Sequence, residues 1–463
     1  MTTHHRRAAM TRQRRVLVTT AVAASLFAAA ACSSATPDTD DSDAPDDSDG
    51  TSYGFETVEQ DPSAPITVWV DASRQPAADA FIAANPDFPI NVETYDGGAD
   101  GSGSFQTKVE AFNQAGSGWP DVVFSTQNND ASWASQGTDP FAAPLDKGYF
   151  EQAFLDGFTP GALNPLTVDG TTYGLRNDLA PTVTWYNQSL MDEFGYDVPA
   201  TWEEYEALGV KVAAEHPGYI IGTVGDSFTP EIFFWAAKAP VNVVEGVDQL
   251  SSDTSDPNAV AMAELLDNLI AKGVLASQSV FSPEFVQSYG DKVLMLPGPV
   301  WYAGALFSNP DSLNAAPGTI AAGLPLAWDG ETPAAGNVGG GTWFISRHSA
   351  NLENAKTFLE WVTSDPAYQV DVAQGLPAYK EVGDLWLAKQ AETGFFTDSF
   401  ADNVSTAAGQ VWDGWGFPKF SQEAVWAKTI IPELAAGKSL VDLLPAWETA
   451  IKNEAQVNGY QVS

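Results

Sequence analysis

The chain of 463 residues carries 15 Trp and 13 Tyr. Several stand beside glycines or at the ends of short apolar runs, with amides and carboxylates nearby. An indole or phenol ring offers a flat apolar body and a polar handle. Carboxylates and amides pair with hydroxyls, the charged groups more strongly. Together these meet the two needs of a pyranose, an apolar C–H face to lie on and partners for a hydroxyl rim. The candidates for such binding are Asp71 and Arg74, just after the run Ile66–Val70, and Asn128 and Asn129, after Val122–Phe124. Asn177 and Asp178 follow Tyr173-Gly174-Leu175, and Asp226 and Phe228 follow Ile220–Val224. Trp301 and Tyr302 follow Gly298, and Trp343 follows three glycines. Trp412, Trp415 and Phe417 lie in the loop Val411–Pro418, which has neither helical nor strand period. Each has a plainer role open to it. Asp71 is placed to cap the next helix, Asn128 and Asn129 to make a turn, Trp343 to pack under a helix, and Trp412 and Trp415 to cover one another. Trp69, in mid-strand, reads as core.

The remaining chemistry is narrow. Cys32 is the only cysteine, and only His216 and His348 lie beyond the first residues. That leaves no disulfide framework and almost nothing for a Cys/His metal cluster or a cysteine–histidine nucleophile pair, so neither metal nor cofactor is expected. A phosphate loop needs a Lys-Ser/Thr directly after its glycines, whereas Gly339–Gly341 is followed by Thr342-Trp343. The formal net charge of −39 argues against nucleic acid, which needs basic patches. It would suit a cation, which keeps a polyamine open as ligand. A secreted glycosidase, needing two carboxyls about 5–10 Å apart, stays open as well, although no acid pair stands in a hydrolytic motif.

The N-terminus reads as an export signal. Arg6, Arg7, Arg12, Arg14 and Arg15 precede an uncharged run, Val16–Ala31, that ends at Cys32. Residues 1–31 are assigned as a lipoprotein signal peptide, cleaved to leave Cys32 for lipidation and membrane anchoring. The run is shorter than the roughly 20 residues a membrane-spanning helix needs. Residues 32–61, rich in Ser, Asp and Pro and without Lys or Arg, read as an acidic disordered tether. Residues 62–463 are too many for one ordinary core, so two domains are expected.

Ile66–Val70 is an almost continuous apolar run, as buried parallel strands are. Pro76 suits a helix start, with Ala77, Ala80, Phe81 and Ala84 as its stripe, and Ile90–Tyr95 is the next strand. Thr342–Ile345 reads as a strand, and Ala355, Phe358, Leu359 and Val362 as the buried stripe of a helix capped by Asn351. Thr201 and Glu204 have capping-box spacing, so Trp202, Glu203 and Glu204 are structural. Ser439 caps a last helix through Leu440, Leu443, Leu444, Trp447 and Ile451. Alternating strands and helices imply α/β architecture with parallel sheets.

Gly339-Gly340-Gly341-Thr342-Trp343-Phe344-Ile345-Ser346 with its helix ending in Thr363-Ser364-Asp365 resembles the hallmark region of bacterial extracellular solute-binding proteins of the maltose-binding-protein type. So do Pro120-Asp121-Val122, Tyr173-Gly174-Leu175 with Tyr186-Asn187, Pro199–Glu204, and Gly298 to Trp301. Arg176 stands where the family usually has Pro. The resemblance spans most of residues 62–455. It implies a two-lobed fold of the type II periplasmic-binding kind, two mainly parallel sheets flanked by helices. The chain would cross between lobes near 179, 325 and 366, so that 62–179 with 326–366 form lobe 1 and 180–325 with 367–463 form lobe 2. Ligands of open α/β sheets sit outside the carboxyl ends of strands, here in a cleft closed by a hinge. The resemblance also implies a monomer without catalysis, binding a carbohydrate from loops such as Asn128–Asn129. It would deliver its ligand to permease subunits of an ATP-driven importer at the outer face of the membrane.

Overall fold

A computed structural model describes residues 52–97, 103–397 and 399–463. Cys32, the signal segment and the first part of the tether lie outside the described residues. Among the described residues no helix is long and apolar enough to cross a membrane.

The first lobe begins with β1 (Ile66–Val70), α1 (Gln75–Ala84), β2 (Ile90–Thr94), α2 (Ser104–Ala115) and β3 (Val122–Ser125). β1 pairs in parallel with both β2 and β3. After a meandering stretch comes β4 (Leu175–Arg176). The chain then crosses to the second lobe as β5 (Thr182–Asn187), continues through α3 (Trp202–Glu215), α4 (Thr229–Phe233), β6 (Met295–Pro299) and β7 (Ile320–Gly323), and returns as β8 (Thr342–Ile345). The first sheet has the order β2-β1-β3-β8-β4. α5 (Leu352–Ser364) follows β8 and covers one face of that sheet with α1, burying Phe81, Phe358, Leu359 and Val362 against Val68, Phe124 and Trp343. Phe105 and Val109 of α2 close the other face over Val123 and Phe344.

The sheets are less parallel than expected. β8 runs antiparallel to β3 and β4, and β5 is antiparallel to both β6 and β7. The cause is the crossing itself. β5 and β8 enter their lobes from the hinge, so their amino ends face the cleft and they run opposite to strands that arrive there.

Local signals match the elements they mark. Asn351 Oδ1 accepts from Asn354 N at 3.1 Å and starts α5. Thr201 Oγ1 accepts from Glu204 N at 3.2 Å, the N-cap bond of a capping box, while Glu204 Oε2 reaches back one residue further and accepts from Ala200 N at 2.8 Å.

Three expected boundaries move. Residues 53–61, assigned to the tether, pack on the first lobe. Tyr53 and Phe55 lie with ring centroids 4.6 and 5.4 Å from Tyr149. Arg347 donates through Nη2 to Phe55 O at 2.9 Å, and Asp61 N donates to Ala350 O at 2.7 Å. Two aromatic rings in an acidic stretch give it surface to bury. Residues 326–337, expected in lobe 1, pack on the second lobe instead. Trp328 Nε1 donates to Ala237 O at 3.1 Å, and Gly336 N to Thr182 Oγ1 at 2.8 Å. The return crossing is therefore the glycine run itself, with Gly339, Gly340 and Gly341 all at positive φ, a conformation that favours residues without a Cβ. The third crossing lies beyond Gln369, whose Nε2 still donates to Val362 O at 2.7 Å in lobe 1. There Leu376–Pro377 pairs with Asp178–Leu179 of the first crossing.

Candidate ligand-binding cleft

Between the lobes lies a cavity of about 970 Å³. Its first-lobe wall is the loop Thr159–Ala162 with Ser132, its back is Arg176, Leu179 and Asn337 at the crossings, and its second-lobe wall is Trp235, Trp412, Trp415 and Phe417. The aromatic wall is braced by hydrogen bonds from its ring nitrogens. Trp235 Nε1 donates to Trp412 O at 2.7 Å, and Trp415 Nε1 to Ala239 O at 2.6 Å. Trp235 stacks on Trp415 at 5.1 Å and 22° and meets Phe417 at 5.5 Å. Trp235 and Trp415 are themselves almost fully buried, and against this base the half-buried Trp412 and Phe417 rings keep apolar surface toward the cavity at little further entropy cost.

A deeper space of about 30 Å³ shares Trp235, Asn337 and Phe417 with the main cavity. Its other walls are Thr126–Asn129, at the carboxyl end of β3, with Glu231 of α4, Gln422 and Glu423. Two hydrogen bonds span the lobes here, from Ser132 Oγ to Phe417 O at 2.8 Å and from Gln127 Nε2 to Glu423 Oε2 at 3.3 Å. Burial, reinforced by the charge of Glu423, pushes the Glu231 carboxyl well above the usual range. Behind the loop, burial raises Asp130 to about 6 while Ser125 and Gln106 donate to it.

The candidates divide. Asn128 and Asn129 line the deep space, and Trp412 and Trp415 line the main cavity. Asp71, Arg74, Asn177 and Asp178 form a buried cluster at the crossings. Asp71 Oδ1 accepts from Ser73 N and Arg74 N at 2.6 and 3.0 Å, the turn that starts α1. Arg74 lies 3.6 Å from Asp178 Oδ1 and 4.7 Å above the Phe124 ring. Asn177 Nδ2 donates to Asp178 Oδ1 at 2.8 Å. Asp226, Phe228, Trp301 and Tyr302 line neither space. Asp226 Oδ2 accepts from Val280 N at 3.3 Å, and Tyr302 is fully buried. Trp301 Nε1 donates to Val338 O at 2.9 Å while its ring stacks on Phe281 at 5.9 Å. Trp343 belongs to the core, not the cleft. It is fully buried between Phe124 and Phe358, and its Nε1 donates to Asn177 Oδ1 at 3.0 Å.

Sequence reasoning missed Trp235, Glu231, Glu423, Asn337 and Arg176. Trp235 ends the apolar run Ile232–Trp235 and reads as core; Glu231 and Glu423 stand in the first turns of helices and read as dipole partners. Arg176 fills the place of the family proline. Its Nε donates to Asp178 O at 2.9 Å, and its Nη2 to Asn337 Oδ1 and Gly339 O at 2.9 and 2.7 Å. Burial lowers its pKa to about 10, against the opposing pull of Asp178. Among the described residues no group of three His, Cys, Asp or Glu could hold a metal ion.

Residues 66–369 match the sequence profile of the family described as bacterial extracellular solute-binding protein. An arabinooligosaccharide-binding protein of Halalkalibacterium halodurans is 26% identical over 296 residues, 61% of this chain and 63% of the relative, so the chain spans somewhat under two thirds of that protein. A lactose-binding protein of Rhizobium radiobacter is 23% identical over 72% of this chain and 78% of its own. Among solved structures, the ABC-transporter-associated binding protein of B. animalis subsp. lactis, in complex with β-1,6-galactobiose, superposes with a TM-score of 0.71 at 21% identity. It covers 86% of this chain and 99% of that one. That likeness shows the two-lobed fold.

Proposed function

This chain belongs to the bacterial extracellular solute-binding protein family, and from that premise we propose that it captures a carbohydrate between its lobes for an ATP-driven importer. The observation that carries the reading is the cavity of about 970 Å³ walled by Trp235, Trp412, Trp415 and Phe417 on one side, with Asn337 and Arg176 at its back. Rings there would lie on sugar C–H faces, and the amides of Asn128, Asn129 and Asn337 would pair with hydroxyls. A cavity of this size lies at the upper end of those that take small ligands and suits an oligosaccharide. The names of the two relatives, arabinooligosaccharide- and lactose-binding proteins, and the galactobiose held by the structural neighbour support the same class.

In this reading the protein is a monomer that makes and breaks no covalent bond. It is held at the outer face of the membrane by acylated Cys32, and lobe closure presents the sugar to permease subunits. The cleft contacts we propose are Asn128, Asn129, Trp412 and Trp415, with Trp235, Phe417 and Asn337 added. The test is a panel of mono- and oligosaccharides, read by tryptophan fluorescence and melting temperature. A saturable change with at least one sugar is expected, and a panel without any response would overturn the assignment.

A further inference from the structure

We propose that the deep end of the cleft is a subsite for a protonated amine, so that the preferred guest is an amino sugar rather than a plain one. This rests on the carbohydrate reading and narrows it. The deep end, about 30 Å³, has room for one small polar head, and it shares Trp235, Asn337 and Phe417 with the main cavity as common walls. A sugar ring lying on the aromatic wall could therefore point a single substituent into it.

The buried groups waiting there are acceptors. Glu231 is 5% exposed, and its Oε2 has no hydrogen-bond partner. Asn128, also 5% exposed, has an equally unpartnered Oδ1. The orientation of that amide is fixed, because Nδ2 donates to Gly339 O; turned over, it would set two carbonyl oxygens against each other. Glu423, half-buried and accepting from Gln127 Nε2 at 3.3 Å, adds a second carboxylate. Among the described residues no Lys, Arg or His lines the space.

Buried acceptors without donors are costly, and buried carboxylates more so. A sugar hydroxyl brings one proton to donate, and an ammonium group brings three together with a positive charge. An ammonium group can thus satisfy Glu231 Oε2 and Asn128 Oδ1 at once, and its positive charge favours release of the proton that burial and the charge of Glu423 keep on Glu231. The half-buried Phe417 ring bordering the space adds an aromatic group that attracts a cation.

The experiment uses the mature chain and matched probes that differ only at the amine. Glucosamine is compared with glucose and galactosamine with galactose, and β-1,4-linked glucosamine dimers and trimers with cellobiose, cellotriose and the N-acetylated oligomers. Binding is read by calorimetry and melting temperature, with spermidine as a sugar-free cation. We expect the amine member of a pair to bind roughly tenfold or more tightly, as charge-assisted bonds outrank neutral ones. E231Q, and independently E423Q, should shrink that preference. Equal or tighter binding of the neutral or N-acetylated member overturns the subsite and leaves the carbohydrate reading intact. So does a preference that both variants retain. Silence toward every sugar, with or without a response to spermidine, overturns both.

Discussion

Arg176 Nη2 donates to Gly339 O at 2.7 Å, and this bond fastens the first crossing between the lobes to the second. The guanidinium also holds Asp178 O and Asn337 Oδ1, so one buried cation serves acceptors on both crossing strands. A Cβ on Gly340 would fall 2.3 Å from Arg176 Nη2 and 2.4 Å from Asp178 O, at a φ of +100°. G340A therefore combines backbone strain with displacement of the clasp and should destabilise the fold by roughly 2–4 kcal/mol. Urea unfolding against wild type checks this. R176M should cost a similar amount, about 2–4 kcal/mol, by removing the guanidinium donor from Asp178 O and Asn337 Oδ1, while Gly339 O keeps its bond from Asn128.

The aromatic wall separates two groups of tryptophans. Trp235 and Trp412 line the cavity, whereas Trp301 is turned to Val338 O and Phe281. Once a sugar ligand is in hand, W412A should weaken its binding by about 1–3 kcal/mol, roughly 5- to 150-fold, as loss of a buried ring anchor does. W301A should leave affinity within about twofold, even if stability falls. Calorimetric titration of both variants is the check. A large loss for W301A with none for W412A would move the site to the Asp226–Tyr302 cluster.

The contrast shows how far the sequence could be read. Helices with a stripe and a cap were legible because both signals are local, as at Asn351 with Phe358 and at Thr201 with Glu204. The loop of Asn128 and Asn129 was legible because β3 points its carboxyl end at the cleft. What was not legible depends on which lobe a segment joins. Trp343 sits at the cleft end of β8, yet its side chain enters the sheet face covered by α5; period-two alternation does not say which face that is. Residues 326–337 look like a connector, and only contacts such as Trp328 with Ala237 O assign them to the second lobe. Trp235 and Glu231, on the second lobe, are remote in sequence from the cleft residues of the first, so no local pattern marks them.

The packing of Tyr53 and Phe55 makes a separate forecast. Phe55 is 8% exposed and contacts Tyr149, and its carbonyl takes two bonds from Arg347. F55A removes a buried ring and should cost about 2–4 kcal/mol, near the lower end for buried aromatic truncations because the segment is peripheral. A chain starting at residue 62 should melt several degrees below one starting at residue 52. Differential scanning calorimetry of the two truncations is the measurement, and equal melting temperatures would mean that the segment contributes nothing.

Glu231 ties stability to pH in a definite direction. In the unfolded chain a glutamate titrates near about 4.3. In the fold, burial and then the charge of Glu423 push Glu231 well above its ordinary value. Between those two values the folded state keeps a proton that the unfolded chain has released. Stability therefore falls as pH rises from about 4.3 toward the folded value and levels off beyond it. Glu423, on the facing helix, is the charged side chain lining the same space; Arg176 stands behind Asn337, to which it donates. Buried Asp130, raised to about 6, contributes with the same sign, so the wild-type curve alone does not isolate Glu231. The difference between wild type and E231Q does. Urea midpoints of both proteins from pH 4 to 8 should diverge with rising pH, the variant gaining relative to wild type. Parallel curves would mean that Glu231 ionises in the fold as readily as in water.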